Sequence, residues 1–183
     1  MTRTPSDTFI TKEYSTIAKD SGTNQLIKKG ANYQAVWMYV LHELEDAIGD
    51  CYSDDITNND GTPTGGAPHA WDEGWAFYAG TGQTTGATDG DLTYTLAEKR
   101  CGDFSTCGSA GDSDEGTALV NSNLLALYQL GLDQIISGDC DGAATQKPLI
   151  IAQMTIPLVQ GTLKYMYKKS PSGGEVENSK AWG

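Results

Sequence analysis

The sequence predicts an all-α fold, a helical bundle with long, acidic, glycine-rich loops and two disulfides. Three observations carry this expectation. Apolar residues recur at three- and four-residue spacing in several separate segments. No run shows period-two alternation bounded by hairpin turns. The cysteines Cys51, Cys101, Cys107 and Cys140 are even in number, with no C-x-x-C pair that would suggest zinc. At 183 residues, a single helical domain over 1–183 is the natural expectation. A hydrophobic content of 38% and 22 glycines leave a large share of the chain to loops.

The elements follow in order. Residues 1–30 are polar apart from Phe9, Ile10, Tyr14 and Ile17, which suggest a short helix ending near Lys19–Gly22. The first strong segment is 32–50, where Trp37, Leu41, Leu44 and Ile48 form a helical stripe and Gly49 is a plausible stop. Residues 52–68 contain almost nothing that packs and read as a surface loop. No register of the calcium-loop pattern fits them, because counting back from Gly61 puts Ile56 where the first Asp belongs. A helix is expected at 70–80, with Trp71, Trp75 and Tyr78 on one face and Asp72 and Glu73 in its first turn, where the macrodipole favours acids. The segment DLTYTLAEKRC predicts another, with Leu92 and Leu96 inward.

After a Gly- and Asp-rich loop at 108–116, residues 117–137 read as a long helix through Leu119, Leu124, Leu127, Tyr128, Leu130 and Ile135. A break is expected at Gly138–Gly142. The last strong helix is expected at 147–169, with Ile150, Met154, Leu158 and Tyr165 among its apolar positions and a kink at Pro157. The terminal EVENSKAWG reads as the opening of a further helix. Of the three possible disulfide pairings, Cys101–Cys107 with Cys51–Cys140 is preferred, because the first pair flanks a short loop containing Gly102.

Composition excludes whole classes of function. With 24 acids against 12 basic residues, a formal charge of −12 repels a phosphate backbone, so nucleic acid is not an expected partner. The longest apolar runs fall short of membrane-spanning length, so no transmembrane segment is expected. Paired cysteines point to an oxidising compartment and a secreted protein. Met1-Thr2-Arg3-Thr4 lacks the apolar core of a signal peptide, so such a signal is expected to have been removed, the numbering being that of a mature fragment or of one with an added start.

The chemistry-bearing residues fall into three clusters. In His42-Glu43-Leu44-Glu45-Asp46, helical spacing sets His42 beside Glu45 and Asp46, much as Glu-x-x-His motifs present two ligands to one ion. Opposite an apolar stripe, the same residues would also serve as ordinary surface charge. Asp72 and Glu73 sit between tryptophans, and carboxylates held in a buried helix need a cation or a donor. Glu98-Lys99-Arg100 offers that donor, with Arg100 pairing Asp72 or Glu73 or holding a small anion in a bidentate way. His69 reads as a loop feature. Convergence of these groups would favour Fe(III), Mn(II) or Ca(II) over softer metals, and Tyr78 could add a hard phenolate, though packing is its commoner role. No G-x-S-x-G, P-loop or dinucleotide pattern is present, so an enzyme is not expected.

The ordered combination of YVLHELEDAIGDC, AWDEGWAFYAG, LTYTLAEKRC and TIPLVQGTLKYMY resembles the low-iron-inducible iron-assimilation proteins of the algal periplasm, from about Ala35 to Tyr167. The resemblance implies a helical, disulfide-bonded, periplasmic or cell-surface protein that binds iron (Fe3+). It implies His42, Glu45 and Asp46 as first metal ligands, Asp72 and Glu73 as a second pair, and Glu98 as a third contributor. Arg100 would then hold a synergistic anion. Family members are longer, so one expectation is a chain truncated relative to a longer, repeated architecture. His42-x-x-Glu45 is also similar to the H-x-x-E element of imelysin-like proteins, but a zinc peptidase usually needs a second histidine one turn on, and position 46 is Asp. The reading is therefore an iron-binding protein. The alternative is a structural or adhesive module that self-assembles or meets a cell-surface partner, with at most a stabilising cation.

Overall fold

The computed structural model describes residues 21–57, 62–81, 83, 89–90 and 92–168. Its helices are α1 (Ser21–Gly30), α2 (Trp37–Tyr52), α3 (Gly66–Ala79), α4 (Thr93–Phe104), α5 (Leu119–Ile136) and α6 (Cys140–Lys168). Among the described residues there is no strand, only isolated bridges from Cys107 to Ser113 and Ala118. The expected helix around Phe9–Ile17 and the EVENSKAWG terminus lie outside the described residues.

The first rod is longer than its periodicity suggests. A π-helical stretch, Ala31–Val36, joins α1 to α2 without a break. A π turn carries one extra residue, so it slips the apolar register and hides the continuity from a search for a single 3.6-residue period. Gly49 does not stop α2. The helix runs on to Tyr52, and it ends where Asp54 takes a left-handed φ of 63°. At the end of α3, Gly80 takes φ 62° and its N–H donates to the Ala76 carbonyl at 2.8 Å, a helix end that a side chain would strain. The break expected at 138–142 is narrower than predicted, since α6 already starts at Cys140 and continues through both Pro148 and Pro157.

Helix α2 packs mainly on α3, α5 on α6, and α4 on α6. Val40, Leu44 and Ala47 of α2 meet Trp71 and Tyr78 of α3, Leu124, Tyr128 and Ile135 of α5, and Ile150 and Met154 of α6 in one core. Aromatic rings form its centre, with Trp75 5.3 Å and Trp71 5.7 Å from Tyr128, centroid to centroid. The Trp71 indole donates to the Tyr128 carbonyl at 2.8 Å, which satisfies its polar edge in an apolar setting. The disulfides pair as preferred, Cys51–Cys140 and Cys101–Cys107. The first ties the end of α2 to the start of α6. Hydrogen bonds from Tyr52 to Asp141 (2.6 Å) and from Lys147 to Glu45 (2.6 Å) brace the same junction. No helix among the described residues is long and apolar enough to cross a membrane.

Candidate functional site

The buried side of α2 is made by Val40, Glu43, Leu44, Ala47 and Cys51. At 100° per residue, Tyr39, His42, Glu43 and Asp46 occupy one flank of that face, where α2 meets α3. His42 lies 3.2 Å from Asp46, one turn on, with both side chains about half exposed (55% and 53%). Helix α3 repeats the arrangement, with His69 3.4 Å from Glu73. Tyr39 feels the charge of the carboxylate in each pair. Its phenol is held above the usual range first by its hydrogen bond and charge contact with Glu43, then by partial burial, then by the charges of Glu73 and Asp46. Its ring packs edge-on against Phe77 of α3 at 4.6 Å. Carboxylates from two helices therefore share one electrostatic neighbourhood, with an imidazole one turn from each of two of them.

The remaining sequence-predicted residues are placed elsewhere or otherwise engaged. Glu45 points away from Asp46 and pairs with Lys147 of α6, which lowers its pKa. Asp72 is exposed and Glu73 only half-buried, so the inward tryptophans of α3 do not enclose them. Glu98 is buried, and its Oε1 accepts the Ala118 N–H at 3.0 Å and the Asn121 amide at 2.6 Å. It thereby satisfies a donor at the start of α5, where the macrodipole favours a negative charge. Tyr78 donates to the Asn121 side-chain oxygen Oδ1 at 2.6 Å, and burial pushes its pKa well up, so it serves the core as a neutral phenol.

Arg100 does not meet Asp72 or Glu73. It is buried, 3.1 Å from Asp103, and lies over the Tyr165 ring. Lys164 binds the same Asp103 at 2.5 and 2.6 Å. One guanidinium nitrogen, Nη1, is buried without a hydrogen-bond partner, so the group retains capacity for an acceptor. Among the described residues, no three or more His, Cys, Asp or Glu side chains converge closely enough to hold a metal ion as they stand.

The family model of the low iron-inducible periplasmic proteins matches residues 2–139. The chain belongs to that family. Low iron-inducible periplasmic proteins are, by that description, made when iron is scarce, and membership places this one outside the cytoplasm, where its disulfides can form. The matched span contains the whole α2–α3 face and Arg100. The match does not bear on the imelysin-like pattern at His42 and Glu45. No curated protein and no solved structure matches the chain.

Two residues of this low iron-inducible protein's α2–α3 face escape a reading of charge clusters. Glu43 sits three residues after Val40 and four before Ala47, which marks it as the one acid of the run on the buried side. Tyr39 gave no signal beyond its place one turn before Glu43.

Proposed function

We propose that this protein binds a hard metal ion, iron(III) foremost, outside the cytoplasm, and that it does so on the α2–α3 face. The ligands are Asp46 with His42 on α2 and Glu73 with His69 on α3, with Glu43 between them. What supports this reading is the pair of histidine–carboxylate turns on two packed helices, both within the charge field felt by Tyr39. Oxygen-rich donors with imidazole suit Fe(III), and accept Mn(II) or Ca(II), better than softer ions. Since the side chains do not converge as they stand, closure by rotamer changes at the half-exposed Asp46 and Glu73 accompanies binding. Tyr39 keeps Glu43 oriented through its hydroxyl. Arg100, with an unsatisfied Nη1, is the place where a small anion would be held. The role is binding and delivery, not catalysis.

The test is calorimetric titration of the full chain with chelated Fe(III), Mn(II) and Ca(II), with and without bicarbonate. Saturable Fe(III) binding is expected, weakened at least about tenfold, or about 1.4 kcal/mol, in Asp46→Ala and in Glu73→Gln. Wild-type affinity in both variants would sink the ligand assignment. An absence of saturable binding by the wild type would sink the function.

A further inference from the structure

A cleft of about 290 Å³ opens where α3, the start of α4 and the segment leading into α5 come together. Its aromatic side is Trp75 of α3 and Tyr94 of α4, whose rings stand 6.4 Å apart and nearly perpendicular, at 87°. Gln83, Thr117, Asn121 and Ser122 supply amides and hydroxyls, and the exposed Leu125 completes the lining. The volume lies at the lower end of small-molecule sites, about 300–1,000 Å³, so it admits one ring and not a chain of them.

The fold holds this cleft in shape. Gly80, with its left-handed φ, ends α3 and lets the chain return to place Gln83 against the Trp75 indole. The indole N–H donates to Gln83 Oε1 at 3.2 Å, and the Gln83 amide donates to the Gly80 carbonyl at 3.0 Å. Asn121, only 2% exposed, is fixed by the Tyr78 hydroxyl, the Tyr94 carbonyl and Glu98. Aromatic and polar groups are therefore presented by packed elements, which is what a preorganised site requires.

The chemistry of the lining selects among ligands. None of the lining side chains is charged, in a chain that carries −12. An anion would meet no cation there and would lie near Glu98, whose charge, after burial, raises the Tyr94 pKa. A metal ion would find no carboxylate in the lining. A quaternary ammonium uses ring faces alone, and an apolar ligand would strip water from the amides and hydroxyls without replacing its bonds. A polyhydroxylated ring uses both halves of the lining. Its weakly positive C–H groups suit the negative face of an aromatic ring, and its hydroxyls both donate to and accept from neutral amides and hydroxyls.

We propose that this cleft binds one neutral sugar ring, free or at the end of a glycan, with its C–H face against Trp75. The experiment follows the Trp75 indole N–H by nitrogen-15 NMR of the full chain. Glucose, galactose, mannose and xylose are titrated beside their methyl glycosides, with acetate and choline as charged probes. A saturable shift in the millimolar range is expected for at least one sugar. A methyl glycoside that binds as the free sugar does assigns a glycan end, and one that does not assigns the free monosaccharide. Gln83→Ala removes an amide, and Ser122→Phe fills the cleft from an exposed position. Each is expected to weaken binding at least about tenfold, with helix content and Fe(III) titration unchanged. No saturable shift with any sugar, undiminished binding in Ser122→Phe, or tighter binding of acetate or choline would each overturn the proposal. None of the lining residues is a proposed metal ligand, so failure here leaves the metal reading standing.

Discussion

At the scale of single residues, acids of the same type do different work according to what surrounds them. Glu98 and Glu43 are both buried, yet Glu98 has two hydrogen-bond donors aimed at one of its oxygens, and Glu43 lies beside a phenol on a face shared with other acids. Glu98→Ala would strand the Ala118 N–H and the Asn121 amide, and a loss of about 2–4 kcal/mol is expected from urea unfolding. Glu98→Gln keeps an acceptor and should lose about half as much. Both changes should leave Fe(III) affinity near that of the wild type, since Glu98 is spent on the start of α5. The charge run His42–Asp46 was legible as a cluster, but the role of Glu98 was not. Its partners, Ala118 and Asn121, lie 20 and 23 residues further along, and no local spacing announces a cap supplied from another helix.

At the scale of elements, helix existence was readable and helix ends were less so. Periodicity carried the cores of α2, α3, α5 and α6, because burial of one face is what imposes the period. It failed between Ser21 and Val36, where a π turn shifts the register, and at Gly49, where the helix runs on through a glycine with open space around it. How closely two helices approach is a tertiary property. A methyl group added at Gly131 of α5 would lie 2.1 Å from the Trp71 ring of α3. Gly131→Ala is therefore expected to destabilise the protein by about 1–3 kcal/mol despite the better helix propensity of alanine. Paired thermal and denaturant melts, with Trp fluorescence reporting the displaced indole, would check this.

At the scale of the whole molecule, tyrosines set an alkaline limit. Burial raises the pKa of Tyr78, Tyr94 and Tyr128, and hydrogen bonding to Asp141 raises that of Tyr52. A group whose pKa is higher folded than unfolded favours the fold fully below its unfolded value, about 10 for tyrosine, and loses that contribution as pH climbs through the folded value. Unfolding is expected as pH rises above about 10, with buried phenols ionising in step with loss of helix and not before it. Ultraviolet titration beside circular dichroism would test this, and gradual tyrosinate formation in a still-helical protein would contradict it. The molecule's other global constraint is the Cys51–Cys140 bond, which closes a loop of 89 residues around α3, α4 and α5. Because thiols stay reduced in the cytoplasm, this clamp cannot be set where the chain is synthesised. The newly made polypeptide crosses its membrane without it, and the same oxidant that marks arrival fastens the start of α6 to the end of α2. Destination and final assembly are thereby coupled by one bond, and a copy retained inside the cell lacks the lock that a correctly delivered copy carries.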